Sequence, residues 1–172
     1  IRPLKGQRVL VEALNRLEDR RVKLDLVGGI KDEKYARELQ DFIAELGLVE
    51  KVRLIGRLDG VDLVRAYIKA DIFVMPSLYE AYGIVAQEAM SFQLPIIASN
   101  IGGISEQIRD GIDGFLVPPD DPDALALALK KLIDNPDLRI TMGKSGRKRL
   151  NELPTWDNVC ERFYQAVEEC SH

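Results

Sequence analysis

Short apolar runs alternate with longer amphipathic stretches along the chain. Leu24-Asp25-Leu26-Val27 ends in Gly28-Gly29, Val52-Arg53-Leu54-Ile55 in Gly56, and Ile72-Phe73-Val74-Met75 in Pro76. Pro95-Ile96-Ile97-Ala98-Ser99 runs into Asn100, and Phe115-Leu116-Val117 stops at Pro118-Pro119. These runs have strand length, β-branched content and turn-forming stops. Several are apolar nearly throughout, the pattern of parallel strands covered on both faces. The intervening stretches carry helical spacing: Val9, Leu10, Ala13, Leu14 and Leu17 form one stripe, and Leu39, Phe42, Ile43 and Leu46 another, closed by Gly47. Asp121-Pro122-Asp123 is a helix start, with Asp at the cap and Pro in the first turn, followed by the stripe Leu125, Leu129, Leu132 and Ile133.

Strand–helix alternation at this pitch predicts βαβ units and an α/β, Rossmann-like, doubly wound parallel sheet. After about residue 120 the pattern is helical only, with breaks near Asn135-Pro136 and Leu153-Pro154. The expectation is one unit over 1–172: a core over 1–120 and a helical C-terminal tail over 121–172. The opening is the exception. Ile1 to Gly6 enters a helix almost at once, without the strand that opens a doubly wound domain, as if cut from a longer chain.

The length of 172 residues suits one domain, and no linker, low-complexity tract or repeat divides it. A net charge of −4 gives no whole-molecule field that would attract nucleic acid. No apolar run approaches the ~20 residues of a membrane span, and no secretory leader opens the sequence. Cys160 and Cys170 are ten apart on a predicted helix, roughly 15 Å, too far for a disulfide. A reduced, cytoplasmic setting follows. His172 is the single histidine, so a zinc site or a self-contained Ser-His-Asp triad is disfavoured.

Ligands of open α/β sheets bind at the carboxyl ends of the strands, here Gly28-Gly29, Gly56-Arg57, Ser77 to Gly83, and Asn100 to Gly103. Neither G-x-G-x-x-G nor G-x-x-x-x-G-K-[ST] occurs. The segment from Pro76 to Met90 is more specific. After the strand, a polar loop presents Glu80, and a helix opens near Tyr82-Gly83 with the N–H groups of Gly83, Ile84 and Val85 as unpaired first-turn donors. Glu88, about one turn on, carries a carboxylate able to accept vicinal hydroxyls. Two carboxylates flanking anion-binding N–H groups fit a sugar–phosphate compound. Two surface acids around a loose glycine cap fit the spacing equally well.

The stretch EAYGIVAQE, Glu then seven residues then Glu, resembles the signature of retaining glycosyltransferases of the GT-B fold, family 4 (glycosyltransferases group 1). The resemblance runs in order through LKGQRVLVEAL, LDLVGG, AELGLVEKVRLIGRL, ADIFVMPSLYEAYGIVAQEAM and PIIASNIGGISEQIRDGIDGFLVPPDDPDALALAL, to the closing helix around Thr155-Trp156. It implies the C-terminal, nucleotide-sugar-binding half of such an enzyme, with a separate N-terminal domain for the acceptor. Lys5 matches a lysine on the donor diphosphate, in place of a metal ion. Glu80 matches the glutamate beside the transferred sugar, placed at its hydroxyls or argued to be a nucleophile. Tyr82, Gly83, Ile84 and Val85 match the segment whose amides hold sugar hydroxyls and phosphate. Glu88 matches the glutamate on the ribose hydroxyls, and Arg57 and Leu58 the loop along the base. The family's arginine five before the lysine falls just ahead of Ile1, and Arg2 does not take its role.

The resemblance thus implies a nucleotide-diphosphate sugar as donor, with no metal and no further cofactor. Its partners would be the N-terminal acceptor domain and no nucleic acid, with peripheral contact at the cytoplasmic membrane face left open. The isolated chain is expected to bind donor without turning it over. Two alternatives stand beside this reading: a non-catalytic nucleotide-sugar-binding module, and a GT-B nucleotide-sugar epimerase, which Lys5, Glu80 and Glu88 disfavour. Other features have plainer readings. Asp121-Pro122-Asp123 reads as a cap before a metal motif, and Lys144, Arg147, Lys148 and Arg149 as a solvated helix face, with membrane-surface contact or docking on the N-terminal half as its alternatives. Trp156 reads as packing, and Glu106 either lines the donor crevice or starts a helix.

Overall fold

The strands form where the apolar runs end in turn residues, and the helices over the amphipathic stretches between and after them. The computed structural model describes residues 1–17, 19 and 21–170, with the backbone alone at 156, 159, 162 and 167–170. The readings of the Trp156 and Cys170 side chains and of His172 lie outside the described residues. A 3₁₀ turn, Pro3–Lys5, leads into α1 (Gln7–Arg16), β1 (Leu24–Val27), α2 (Glu33–Glu45), β2 (Val52–Gly56) and α3 (Gly60–Lys69). Then follow β3 (Phe73–Met75), α4 (Ile84–Ser91), β4 (Ile96–Ser99), α5 (Ile104–Gln107) and β5 (Gly114–Val117). The helices α6 (Pro122–Asp134), α7 (Pro136–Glu152) and α8 (Trp156–Cys170) close the chain. Asp121 caps α6 by accepting from the Ala124 amide at 2.8 Å, and Asn135 caps α7 through the Leu138 amide at 3.0 Å.

Every strand pairing is parallel. β4 shows the double winding: Ile96, Ile97 and Ala98 are fully buried, with Ile97 in one apolar cluster and its two neighbours in another. The Ile97 cluster gathers α1, α2 and α6, and the other gathers Tyr67 of α3 with α4 and α5. Alternate side chains of one strand therefore meet helices on opposite faces.

The strands are not all alike in burial or pairing. Burial on both faces holds for β4 but not for β1 and β2, where Asp25, Val27, Arg53 and Ile55 are exposed. Asp25 and Arg53 lie opposite each other in register and pair at 2.7 Å on that open face. The strands also form two ladders, β1–β2 and β3–β4–β5, rather than one continuous sheet. Residues 1–6 bridge them. The Ile1 ammonium donates to the Gly29 carbonyl, and the Ile1 carbonyl accepts from Lys31 at 3.1 Å. On the other side, Leu78 donates to the Leu4 carbonyl at 2.9 Å. The chain's first residues thus lie along the loops after β1 and β3, at the carboxyl ends where the candidate residues gather.

Candidate functional site

Lys5 reaches the site through Gly6. That glycine has φ +64°, and a Cβ built on it would lie 1.8 Å from the Pro76 carbonyl oxygen. Only a residue without a side chain lets this backbone cross the end of β3 so closely. From there the Lys5 Nζ donates to Glu80 Oε2 at 2.5 Å, with the two side chains 34% and 15% exposed.

Glu80 sits on the loop from β3 to α4, and that loop is held along its length. Gly103 donates to the Ala81 carbonyl at 3.0 Å, and the Gln107 side-chain amide donates to the Tyr82 carbonyl. Gly83 caps α4 at φ +85°, where a Cβ would lie 2.3 Å from Cδ1 of Ile104. The first turn has no side-chain cap. Among the described residues, the N–H groups of Gly83, Ile84 and Val85 have no hydrogen-bond acceptor. Ile84 and Val85 are themselves exposed, so this positive helix end opens to solvent. Tyr82 is exposed beside it, its hydroxyl accepting from Gln87 Nε2 at 3.0 Å.

Glu88 lies in the next turn of α4. Its Oε2 accepts from the Tyr67 hydroxyl at 2.8 Å. Burial first, and then the hydrogen bond and charge of Glu88, hold the Tyr67 phenol above its ordinary range, so it stays a donor. Arg57 and Leu58 follow β2. Arg57 is exposed and turned onto Asp59 at 2.8 Å, whose carboxyl it holds below the usual range; Leu58 is half-buried.

The structure thus brings Lys5 and Glu80 into contact and sets Tyr82, Gly83, Ile84 and Val85 on the adjoining helix start. Glu88 stands one turn further along. Among the described residues no hydrogen bond or ion pair links Arg57 to Lys5, Glu80 or Glu88. Its loop belongs to the β1–β2 rim, where Gly28 donates to the Gly56 carbonyl at 2.8 Å.

The remaining candidates also find places. Asp121 is a helix cap, and Asp123 pairs with Arg16 at 2.6 Å. Among the described residues no three His, Cys, Asp or Glu side chains gather as a metal-ligand set. Glu106 is exposed in the first turn of α5. Cys160 is an exposed free thiol. The solvated-face reading fails at Arg149, which donates to the Glu106 carbonyl at 2.7 Å and the Gln107 carbonyl at 3.2 Å, tying α7 to the end of α5. Two residues escaped sequence reasoning, Tyr67 and Gln107; Ser77, which opens the candidate loop Ser77 to Gly83, is buried with a hydroxyl lacking a partner among the described residues. Tyr67 and Gln107 act across 21 and 25 positions, and no local pattern encodes such contacts.

Comparison with known proteins identifies the family and the fold. The family model for Glycosyl transferases group 1 matches residues 1–149. D-inositol 3-phosphate glycosyltransferase of Streptomyces griseus is 38% identical over 170 residues, covering 92% of this chain and 35% of that protein. HepE of Anabaena, solved in complex with UDP-glucose, superposes with a TM-score of 0.87 at 25% identity, covering 98% of this chain and 46% of its own. The C-terminal domain of the group 1 glycosyl transferase LpcC from Francisella tularensis gives a TM-score of 0.78 at 27% identity, covering 88% of this chain and 80% of that one. The chain spans 35–40% of the length of the first curated relatives it matches. No helix among the described residues is long and apolar enough to cross a membrane. This chain belongs to the group 1 glycosyl transferases and has the fold of the C-terminal half of GT-B enzymes.

Proposed function

We propose that this chain is the donor-binding half of a retaining, metal-independent glycosyltransferase. It holds a nucleotide-diphosphate sugar for transfer to an acceptor bound by a separate N-terminal domain. The observation that carries the reading is the Lys5–Glu80 pair beside the open first turn of α4, with Glu88 one turn further on.

Cleaving the sugar–phosphate bond develops positive charge at the anomeric carbon and negative charge on the leaving diphosphate. Lys5 and the N–H groups of Gly83, Ile84 and Val85 stabilise the leaving group electrostatically, the part a metal ion takes elsewhere. Glu80 meets the transferred sugar, Glu88 takes the ribose hydroxyls, and Tyr82 belongs with the backbone segment that holds sugar hydroxyls and phosphate. Arg57 and Leu58 border the base mainly through backbone. In this reading 1–120 is the core and 121–172 the tail of one unit, and a further parallel strand between β1 and β3 completes the sheet. The chain alone binds donor without transferring sugar.

The test is calorimetry and thermal shift with UDP, GDP and ADP, with and without Mg²⁺, on wild type and Glu88→Ala. Ligand at a hundred times its Kd stabilises by ~2.7 kcal/mol, a shift of several degrees at this size. The expected result is one nucleotide bound without metal, and its loss in Glu88→Ala. Failure of all three, both here and in a chain extended by a preceding strand and arginine, overturns the reading.

A further inference from the structure

We propose that Tyr67 is a positioning residue for the nucleotide site: it fixes the Glu88 carboxylate through one oxygen and so presents the other to a ribose hydroxyl. The inference rests on the reading of Glu88 as the ribose ligand.

Tyr67 lies in α3 and is nearly buried. Its ring stacks on Phe92 at 5.0 Å with planes 7° apart, and tilts against Phe73 of β3 at 6.0 Å. Phe92 is the C-cap of α4, four positions after Glu88, so both residues lie on one face of that helix. The phenol therefore lies along α4: its ring is clamped near the helix end, and its hydroxyl reaches one turn back toward the site. That hydroxyl donates to Glu88 Oε2 at 2.8 Å. The other Glu88 oxygen has no partner among the described residues.

A glutamate on a helix surface otherwise samples several rotamers, and ordering it costs free energy on binding. The Tyr67 ring, held by two aromatic neighbours, removes that freedom beforehand. An ionised carboxylate has about four lone-pair sites, so donation by one phenol leaves capacity for vicinal hydroxyls. Tyr67 also stays protonated through the working range, because burial and Glu88 both oppose its ionisation. The contact is thus a permanent donor rather than a titrating switch.

The test compares wild type, Tyr67→Phe, Glu88→Gln and the double variant by calorimetry. The ligands are the tightest binder among UDP, GDP and ADP, its 2′,3′-dideoxy analogue, and inorganic pyrophosphate. Tyr67→Phe keeps both ring contacts, and its fold is checked by thermal melting. It is expected to weaken the nucleoside diphosphate about three- to tenfold, the scale of one hydrogen bond. The dideoxy analogue and pyrophosphate should bind unchanged, and Tyr67→Phe should add nothing in the Glu88→Gln background. Equal weakening of all three ligands overturns the inference in favour of a packing role. So does wild-type affinity in Tyr67→Phe while Glu88→Gln weakens binding, which leaves the reading of Glu88 intact. A Glu88→Gln variant that binds like wild type removes that reading and the inference with it, as does a wild type that binds none of the three nucleotides both as this chain and as the extended chain.

Discussion

The Lys5 ammonium and the Glu80 carboxylate, 75 positions apart, meet at 2.5 Å beside the open start of α4. Two opposite roles meet in this pair. Glu80 holds Lys5 in place, yet its negative charge competes with any diphosphate for the same ammonium and the same helix end. Glu80→Gln is therefore expected to bind pyrophosphate and nucleoside diphosphates more tightly, by about three- to tenfold, while transfer by the complete enzyme falls. Calorimetry on the variant checks the first part. Weaker binding would mean that Glu80 serves the anion site mainly by orienting Lys5.

Lys5→Ala removes the cation itself. The expected loss is about ten- to a hundredfold in nucleoside diphosphate affinity, the worth of one charge-assisted contact. Lys5→Arg should recover part of it, because a planar fork cannot reproduce the point contact of an ammonium. Competition binding with pyrophosphate reads both variants directly.

How much of this was legible in the sequence depends on how local the cause is. Strand ends at glycine and proline, the caps Asp121 and Asn135, and the loop carrying Glu80 are encoded within a few residues. The contact that locks Glu88 is not, because Tyr67 occupies an ordinary stripe position of α3 and meets its partner only through the packing of α3 on α4. Arg149 looked like one of four surface cations, and only the folded chain shows the α5 carbonyls within its reach. The division of the strands into two ladders was hidden for the same reason, since strand composition does not specify which edges pair. Asp25 and Arg53, the two charges inside those runs, pair on the open face of β1 and β2.

Gly6 sets where Lys5 stands, and an alanine there meets the Pro76 carbonyl, a backbone atom with little freedom to yield. The left-handed φ adds its own penalty for any side chain. Gly6→Ala should cost ~2 kcal/mol or more of stability and lower pyrophosphate affinity along with it. Urea unfolding and pyrophosphate binding on one preparation test the coupling. A normal affinity with lowered stability would separate the position of Lys5 from the Gly6 crossing.

Arg149 and Lys148 adjoin on α7 but differ in burial and partners. Arg149→Ala leaves the last carbonyls of α5 without their donors and should cost ~1–2 kcal/mol. Lys148→Ala, at an exposed position, should leave the urea midpoint unchanged. Equal effects would mean that the α5 carbonyls are satisfied by solvent.

Asp113 supplies a pH dependence whose direction follows from its surroundings. It is wholly buried, and burial alone would raise its carboxyl. The Arg109 side chain at 2.7 Å, the Ser145 hydroxyl at 2.8 Å and the Arg109 amide outweigh that and hold it below the usual carboxylate range. A carboxyl that binds its proton less readily folded than unfolded stabilises the fold above its unfolded pKa, near 4. That contribution disappears as pH falls through the lower, folded value. Wild type should therefore lose stability in urea as pH drops below about 4. Asp113→Asn should start ~1–3 kcal/mol lower at neutral pH, because its neutral amide is a weaker acceptor for Arg109 and Ser145, and should lose less on acidification. Parallel acid profiles for the two proteins would show that other carboxylates carry the acid sensitivity and that Asp113 contributes through packing alone.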